Sequence, residues 1–154
     1  MLRKEFLSRK PKDASKLRVG IVVARFNSDI TESMLEGAQK VLAEWKVKEK
    51  NTTLVRVPGS FEIPLAVSKL AKNKRHDCII AIGCVLKGET KHDEYISAAV
   101  AQGLMRIMLD YGVPVGFGIL TPNTLEQAKT RSRGITNHGS SAARTALEMA
   151  LGVH

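Results

Sequence analysis

No apolar run in this chain approaches the ~20 residues that a helix needs to cross a bilayer. The opening stretch MLRKEFLSRK is basic and lacks the continuous apolar segment of a secretory signal, so a soluble, cytoplasmic protein is expected. Cysteine is scarce: Cys78 and Cys84 bracket one apolar segment, and an extended strand holds such a pair roughly 20 Å apart, beyond disulfide reach. Two buried free thiols are expected. No CxxC pair occurs, and His76, His92, His138 and His154 are scattered, so no metal site is expected. Aromatic residues make up 5% of the chain, too few for the stacking platforms that single-stranded nucleic acid requires. No internal repeat, interdomain linker or low-complexity segment interrupts its body.

What remains is an ordinary core-forming composition. At 154 residues and 44% hydrophobic content, the chain can fill one core but not two comfortable ones. Its net charge of +9 could suggest a nucleic-acid partner, yet more than half of the excess lies in the first 18 residues, where Arg3, Lys4, Arg9, Lys10, Lys12, Lys16 and Arg18 face only Glu5 and Asp13. Residues 1–16 therefore read as a solvated basic arm and 17–154 as the domain, with neither nucleic acid nor membrane among the expected partners.

Along the domain, strand and helix signals alternate. LRVGIVVA (17–24) is a short β-branched run, followed by a helix with Met34, Leu35, Ala38, Val41, Leu42 and Trp45 on one stripe. TTLVRVPG repeats the strand signal, and a helix is expected over about 61–73, with Pro64 tolerable only in its first turn. A third strand spans 77–83, and its helix carries Ile96, Ala99, Val100, Gly103, Leu104, Ile107 and Met108 before stopping near Gly112-Val113-Pro114. VPVGFGILT is the fourth strand, and helices over about 124–131 and 138–151 flank the turn-like SRGITN. Such alternation requires parallel pairing with right-handed crossovers, which predicts a flavodoxin-like three-layer α/β/α sandwich around a four-stranded parallel sheet.

In such a sheet, ligands bind outside the carboxyl ends of the strands. That edge gathers Arg25-Phe26-Asn27, the turn from Pro58 to Glu62, the loop from Val85 to His92, and Thr121 to Asn123. The segment IGCVLKGETKHDEY carries the most chemistry. Gly88 lets backbone approach a ligand, and Thr90 followed by Asp93 has the form of a helix N-cap. The N–H groups of the new helix suit a phosphate, with His92 beside it to move protons. Other residues are ambiguous singly. Phe26 either stacks on a planar ligand or packs beneath its loop; Glu62 either stabilises a helix start or grips hydroxyls; Arg131 either complements a helix end or meets phosphate.

Together, RFN, VPGSFEIP, GCVLKGETKHDEY and GILTPNTLEQA, collinear and each at a strand end, resemble the lumazine synthases of riboflavin biosynthesis over nearly everything from Leu17 onward. The resemblance implies a transferase without a cofactor. Its two substrates are 5-amino-6-(ribitylamino)uracil and 3,4-dihydroxy-2-butanone 4-phosphate, and its products are 6,7-dimethyl-8-ribityllumazine, phosphate and water. It implies that Phe26 stacks on the pyrimidine, that Ser60 and Glu62 bind the ribityl chain, and that backbone around Val85 and Leu86 holds the ring's polar edge. Gly88, Glu89 and Thr90 then cradle the phosphate while His92 shuttles protons. Asn27, Phe61, Lys87 and His138 complete the expected substrate-binding set. Phe117 and Arg131 are implied to come from a neighbouring subunit, so that a homo-oligomer forms the site, and riboflavin synthase is a further implied partner.

The chemistry is compatible with these loops, because imine formation, phosphate elimination and ring closure need proton transfer and proximity more than a covalent nucleophile. The sequence also departs from the family: His138 stands where lysine is common, Ser141 where an acid is frequent, and Glu94 where aspartate is usual. Pro11 in the arm and the short turn Arg133-Gly134-Ile135-Thr136-Asn137 favour a homopentamer or a pair of pentamers over a sixty-subunit shell. The competing functions are a non-catalytic flavin or pterin carrier, which binds without turnover, and a basic scaffold for nucleic acid, which shows steep salt dependence.

Overall fold

The β-branched run after the arm forms the first strand, β1 (Val19–Ala24), every residue of which is buried in the computed structural model, which describes residues 9–152. Residues 1–8 of the expected arm, and His154, lie outside the described residues. After β1 come α1 (Ser28–Glu44), β2 (Thr52–Val57), α2 (Ile63–Lys72), β3 (Cys78–Cys84), α3 (His92–Tyr111), β4 (Val115–Leu120), α4 (Leu125–Arg131) and α5 (His138–Leu151). The sheet order is β2-β1-β3-β4 and all pairs are parallel; Val22 of β1 lies between Val55 of β2 and Ala81 of β3. Parallel strands covered on both faces read as unbroken apolar runs, as β1 and β3 do.

Two apolar layers sandwich the sheet in the expected flavodoxin-like arrangement. One packs α1 and α5 on Ile21, Ile80 and Ile82, and the other packs α2 and α3 on Val22, Ile79 and Ala81. The whole stripe expected on α1, from Met34 to Trp45, is buried. Cys78 and Cys84 are buried free thiols. Among the described residues, no helix is long and apolar enough to cross a membrane.

Several boundaries differ from the sequence reading for local reasons. The second helix begins at Ile63 because residues Ser60–Glu62 wind a 3-10 turn first, leaving Pro64 in the opening turn where its missing N–H costs nothing. The third strand starts at Cys78 instead of 77; just before it the Asp77 N–H donates to the Arg18 carbonyl at 2.8 Å, while its carboxylate accepts the Arg18 backbone N–H at 2.7 Å and the Arg18 guanidinium at 3.3 Å. Thr90 does not cap α3. Lys91 holds the capping position, and the Thr90 hydroxyl accepts the His92 N–H at 3.3 Å, two residues on instead of three. Nor is the described part of the arm wholly solvated: Ala14 is buried with its N–H on the Trp45 carbonyl, and Arg9 pairs with Glu148 at 2.7 Å.

Candidate active site

β1 sends its connection to α1 on one face of the sheet, while β3 sends its own to α3 on the other, so a crevice opens between their carboxyl ends. A cleft of about 1010 Å³ lies there. It brings together Phe26 and Asn27 after β1, Ser60, Phe61 and Glu62 before α2, and Val85, Leu86, Lys87, Gly88 and Thr90 after β3, with His92 opening α3. Glu89 stands exposed beside the loop without lining the cleft.

Backbone bonds fix the floor. The Phe26 N–H donates to the Pro58 carbonyl at 3.0 Å, which leaves the ring 71% exposed, the presentation a stacking surface needs. Asn27 sits in the left-handed region (φ 61°), where a short polar side chain is tolerated, and its amide Nδ2 donates to the Cys84 carbonyl at 2.9 Å. Much of Asn27 thus ties the end of β1 to the end of β3. Ser60 is buried with its hydroxyl in the space that Gly83 leaves open, since a Cβ at 83 would lie 2.5 Å from that oxygen.

The loop after β3 is partly committed and partly free. The Val85 N–H bonds the Leu120 carbonyl at 2.8 Å and the Lys87 N–H bonds the Pro122 carbonyl at 3.2 Å. The N–H groups of Gly88, Glu89 and Thr90 have no acceptor among the described residues, and nothing stands within 4 Å of a Cβ built on Gly88. Three uncommitted donors just before a 20-residue helix have the geometry that can receive an anion. Asp93 and Glu94 in the first turn oppose that charge preference, and the exposed Lys87 and Lys91 offset them. Cys84 also borders the cleft, but burial pushes its thiol up to about 11, so it is no thiolate nucleophile at neutral pH.

Phe117, Arg131 and His138 are not in this cleft. They line a second one of about 630 Å³, between β4, α4 and α5, and the two clefts share no residue. Arg131 is the last residue of α4, His138 the first of α5, and Phe117 projects, half exposed, from the edge strand β4. The Arg131 guanidinium has no carboxylate partner among the described residues.

Sequence reasoning did not name Ala99 among the residues of the first cleft, nor Gln127 and Thr145 among those of the second. Ala99 lay on a stripe that helical spacing alone assigns to the core. For Gln127 a signal was present: it lies one turn before Arg131 on the same helix face.

Residues 16–153 match the family described as 6,7-dimethyl-8-ribityllumazine synthase. A 6,7-dimethyl-8-ribityllumazine synthase of Parabacteroides distasonis is 44% identical over 138 residues, covering 89% of this chain and 86% of the relative.

Proposed function

The chain belongs to the 6,7-dimethyl-8-ribityllumazine synthase family, and from that membership we propose how its two clefts divide the reaction. It is a transferase of riboflavin biosynthesis that condenses 5-amino-6-(ribitylamino)uracil with 3,4-dihydroxy-2-butanone 4-phosphate, giving 6,7-dimethyl-8-ribityllumazine, phosphate and water. In our reading the uncommitted N–H groups of Gly88, Glu89 and Thr90 receive the phosphate. That cradle, beside His92 and facing the exposed Phe26 ring, is the observation that carries the proposal. Phe26 stacks on the pyrimidine, Ser60 and Glu62 take ribityl hydroxyls, and backbone at Val85 and Leu86 meets the ring's polar edge. Asn27, Phe61 and Lys87 border the same substrates. The amine attacks the ketone within this enclosure, and His92 moves protons during imine formation, phosphate loss and ring closure.

Phe117, Arg131 and His138 of one subunit complete the first cleft of its neighbour. The separation of the two clefts supports this, as do exposed apolar side chains on both flanks: Phe61, Leu65 and Leu109 on one, Phe117, Leu125 and Met149 on the other. Unlike faces that meet head to tail close into a ring, here a homopentamer or a pair of them. We place the enzyme in the cytoplasm, with riboflavin synthase as its macromolecular partner.

Mixing the protein with both substrates, and following the lumazine chromophore with phosphate release, tests the activity; tight binding without turnover would favour a carrier. Arg131→Ala should lower kcat/KM for the butanone phosphate about tenfold to a hundredfold, the cost of one charge-assisted contact. Mixed with His92→Ala subunits it should regain activity, because some interfaces then pair two intact halves. No recovery after demonstrated subunit exchange would mean a site within one chain. Light scattering that gives a stable particle near sixty chains would refute the pentamer.

A further inference from the structure

Arg131 ends a helix of only seven residues, and the last carbonyls of any helix lack partners within it. So short a helix frays easily unless its end is held from outside. Here side chains hold it. The Ser132 carbonyl accepts two donors, the Ser33 hydroxyl of α1 at 2.7 Å and the Asn137 amide at 2.9 Å. Asn137 gives its other amide hydrogen to the Ser33 carbonyl at 3.0 Å, and its Oδ1 accepts from the N–H groups of Gly139 at 2.8 Å and Ser140 at 3.2 Å. The hydroxyl of Thr136 donates to the Thr130 carbonyl at 2.5 Å. Gly37 on α1 leaves the room, since a Cβ there would collide with the Asn137 amide.

Thr130 and Thr136 line the cleft, but Ser33, Ser132 and Asn137 do not: Ser132 follows Arg131, Asn137 precedes His138, and the clasp of bonds among these three lies behind the cavity wall. We propose that Ser33, Ser132 and Asn137 form a positioning device that fixes Arg131 and His138 relative to each other, so that the phosphate-bearing substrate meets a preorganised pair. The inference rests on reading the second cleft as half of the active site. Among the described residues the guanidinium has no ion-pair partner to orient it, so its placement is inherited from the backbone that the clasp holds. An ångström of drift there is enough to weaken a charge-assisted contact.

The test separates positioning from helix capping. Asn137→Ser keeps an oxygen that caps α5 nearly as well but deletes both amide donors, and Ser33→Ala deletes the second donor to the Ser132 carbonyl without touching the cap. In the assembled enzyme, Ser33→Ala should raise KM for the butanone phosphate about fivefold, the size of one neutral hydrogen bond, and Asn137→Ser, which loses two, at least as much. KM for the pyrimidine should stay within about twofold, and Ser33→Thr, which keeps the hydroxyl, should restore the wild-type value. Arg131→Ala runs beside them. If it raises KM for the butanone phosphate while Asn137→Ser and Ser33→Ala do not, or if they affect both substrates equally, the clasp serves stability alone and the proposal fails. If Arg131→Ala leaves that KM unchanged, the reading of the second cleft fails first. Should Asn137→Ser not fold, Ser33→Ala and its threonine control decide the matter.

Discussion

α1 turns seven buried residues, from Ile30 to Leu42, toward the sheet and α5, whereas the longer α3 buries only Val100, Leu104 and Ile107. On the α1/α5 side backbones nearly touch, for a Cβ on Gly139 would run into the Met34 carbonyl. On the α2/α3 side Leu65, Tyr95, Met105 and Leu109 stay exposed, Leu109 at 76%. The contrast teaches that α1 spends its apolar face inside the chain while α3 leaves most of its own uncovered. It also separates the residues proposed for the chemistry, since His92 belongs to the open layer and Arg131 to the clasped side.

The largest effect should come from forcing the closed layer apart. Gly139→Val places a branched side chain against the Met34 carbonyl, where neither helix backbone can yield, and should cost more than ~3 kcal/mol or abolish folding. A thermal melt within a few degrees of wild type would show that α1 and α5 are not locked. On the open layer, His92→Ala should leave stability intact, because the residue is exposed, while lowering kcat by at most ~10²–10⁴. Activity should stay measurable, since juxtaposing two reactive substrates supplies much of the rate. Either a wild-type rate or complete inactivity with both substrates bound would contradict that division of labour.

Leu109→Lys sharpens the comparison from the other side. A charge on the exposed α3 face should reduce particle size in light scattering and leave the melt of the dissociated chain nearly unchanged, within ~0.5 kcal/mol. An unaltered assembly would remove α3 from the interface. The smallest effect belongs to the amino end of the sheet that both layers share. Burial disfavours the charged form of Asp77, but bonds from the Arg18 side chain and backbone N–H outweigh it and hold the carboxyl below its usual range. A lowered folded pKa gives stability that is present above the ordinary carboxylate value and lost as pH falls through the folded one. Asp77→Asn should therefore cost under ~1 kcal/mol at neutral pH, with the deficit vanishing in acid; a deficit that grew on acidification would reverse the assignment.

The sheet and its helices were legible because apolar spacing reports a periodicity that the backbone must obey, and the α1 stripe from Met34 to Trp45 is buried throughout. Boundaries were less so. Thr90 gave up the cap because its hydroxyl took the N–H of His92, two residues on, and the strand end at Asp77 is set beside the distant Arg18, which a local pattern does not reveal. Ile96 of the α3 stripe packs on the core as expected and also borders the first cleft, whereas Ala99 is exposed and lines that cleft, since a stripe records hydrophobicity and not what covers it.

From the sequence alone followed the alternation of elements, the carboxyl edge that gathers the loop motifs, and the resemblance of those motifs to one family, all properties of neighbouring residues or of chain order. The tertiary structure alone decided that Phe26 and His92 share one cleft while Phe117 and Arg131 occupy another. It also decided that three N–H groups after β3 have no acceptor among the described residues, while the neighbouring Val85 and Lys87 bond to carbonyls at the end of β4 and just beyond it. Those outcomes depend on which distant strand end or helix arrives beside each group, and such long-range juxtapositions are fixed by packing the whole sheet, not by any segment of the chain.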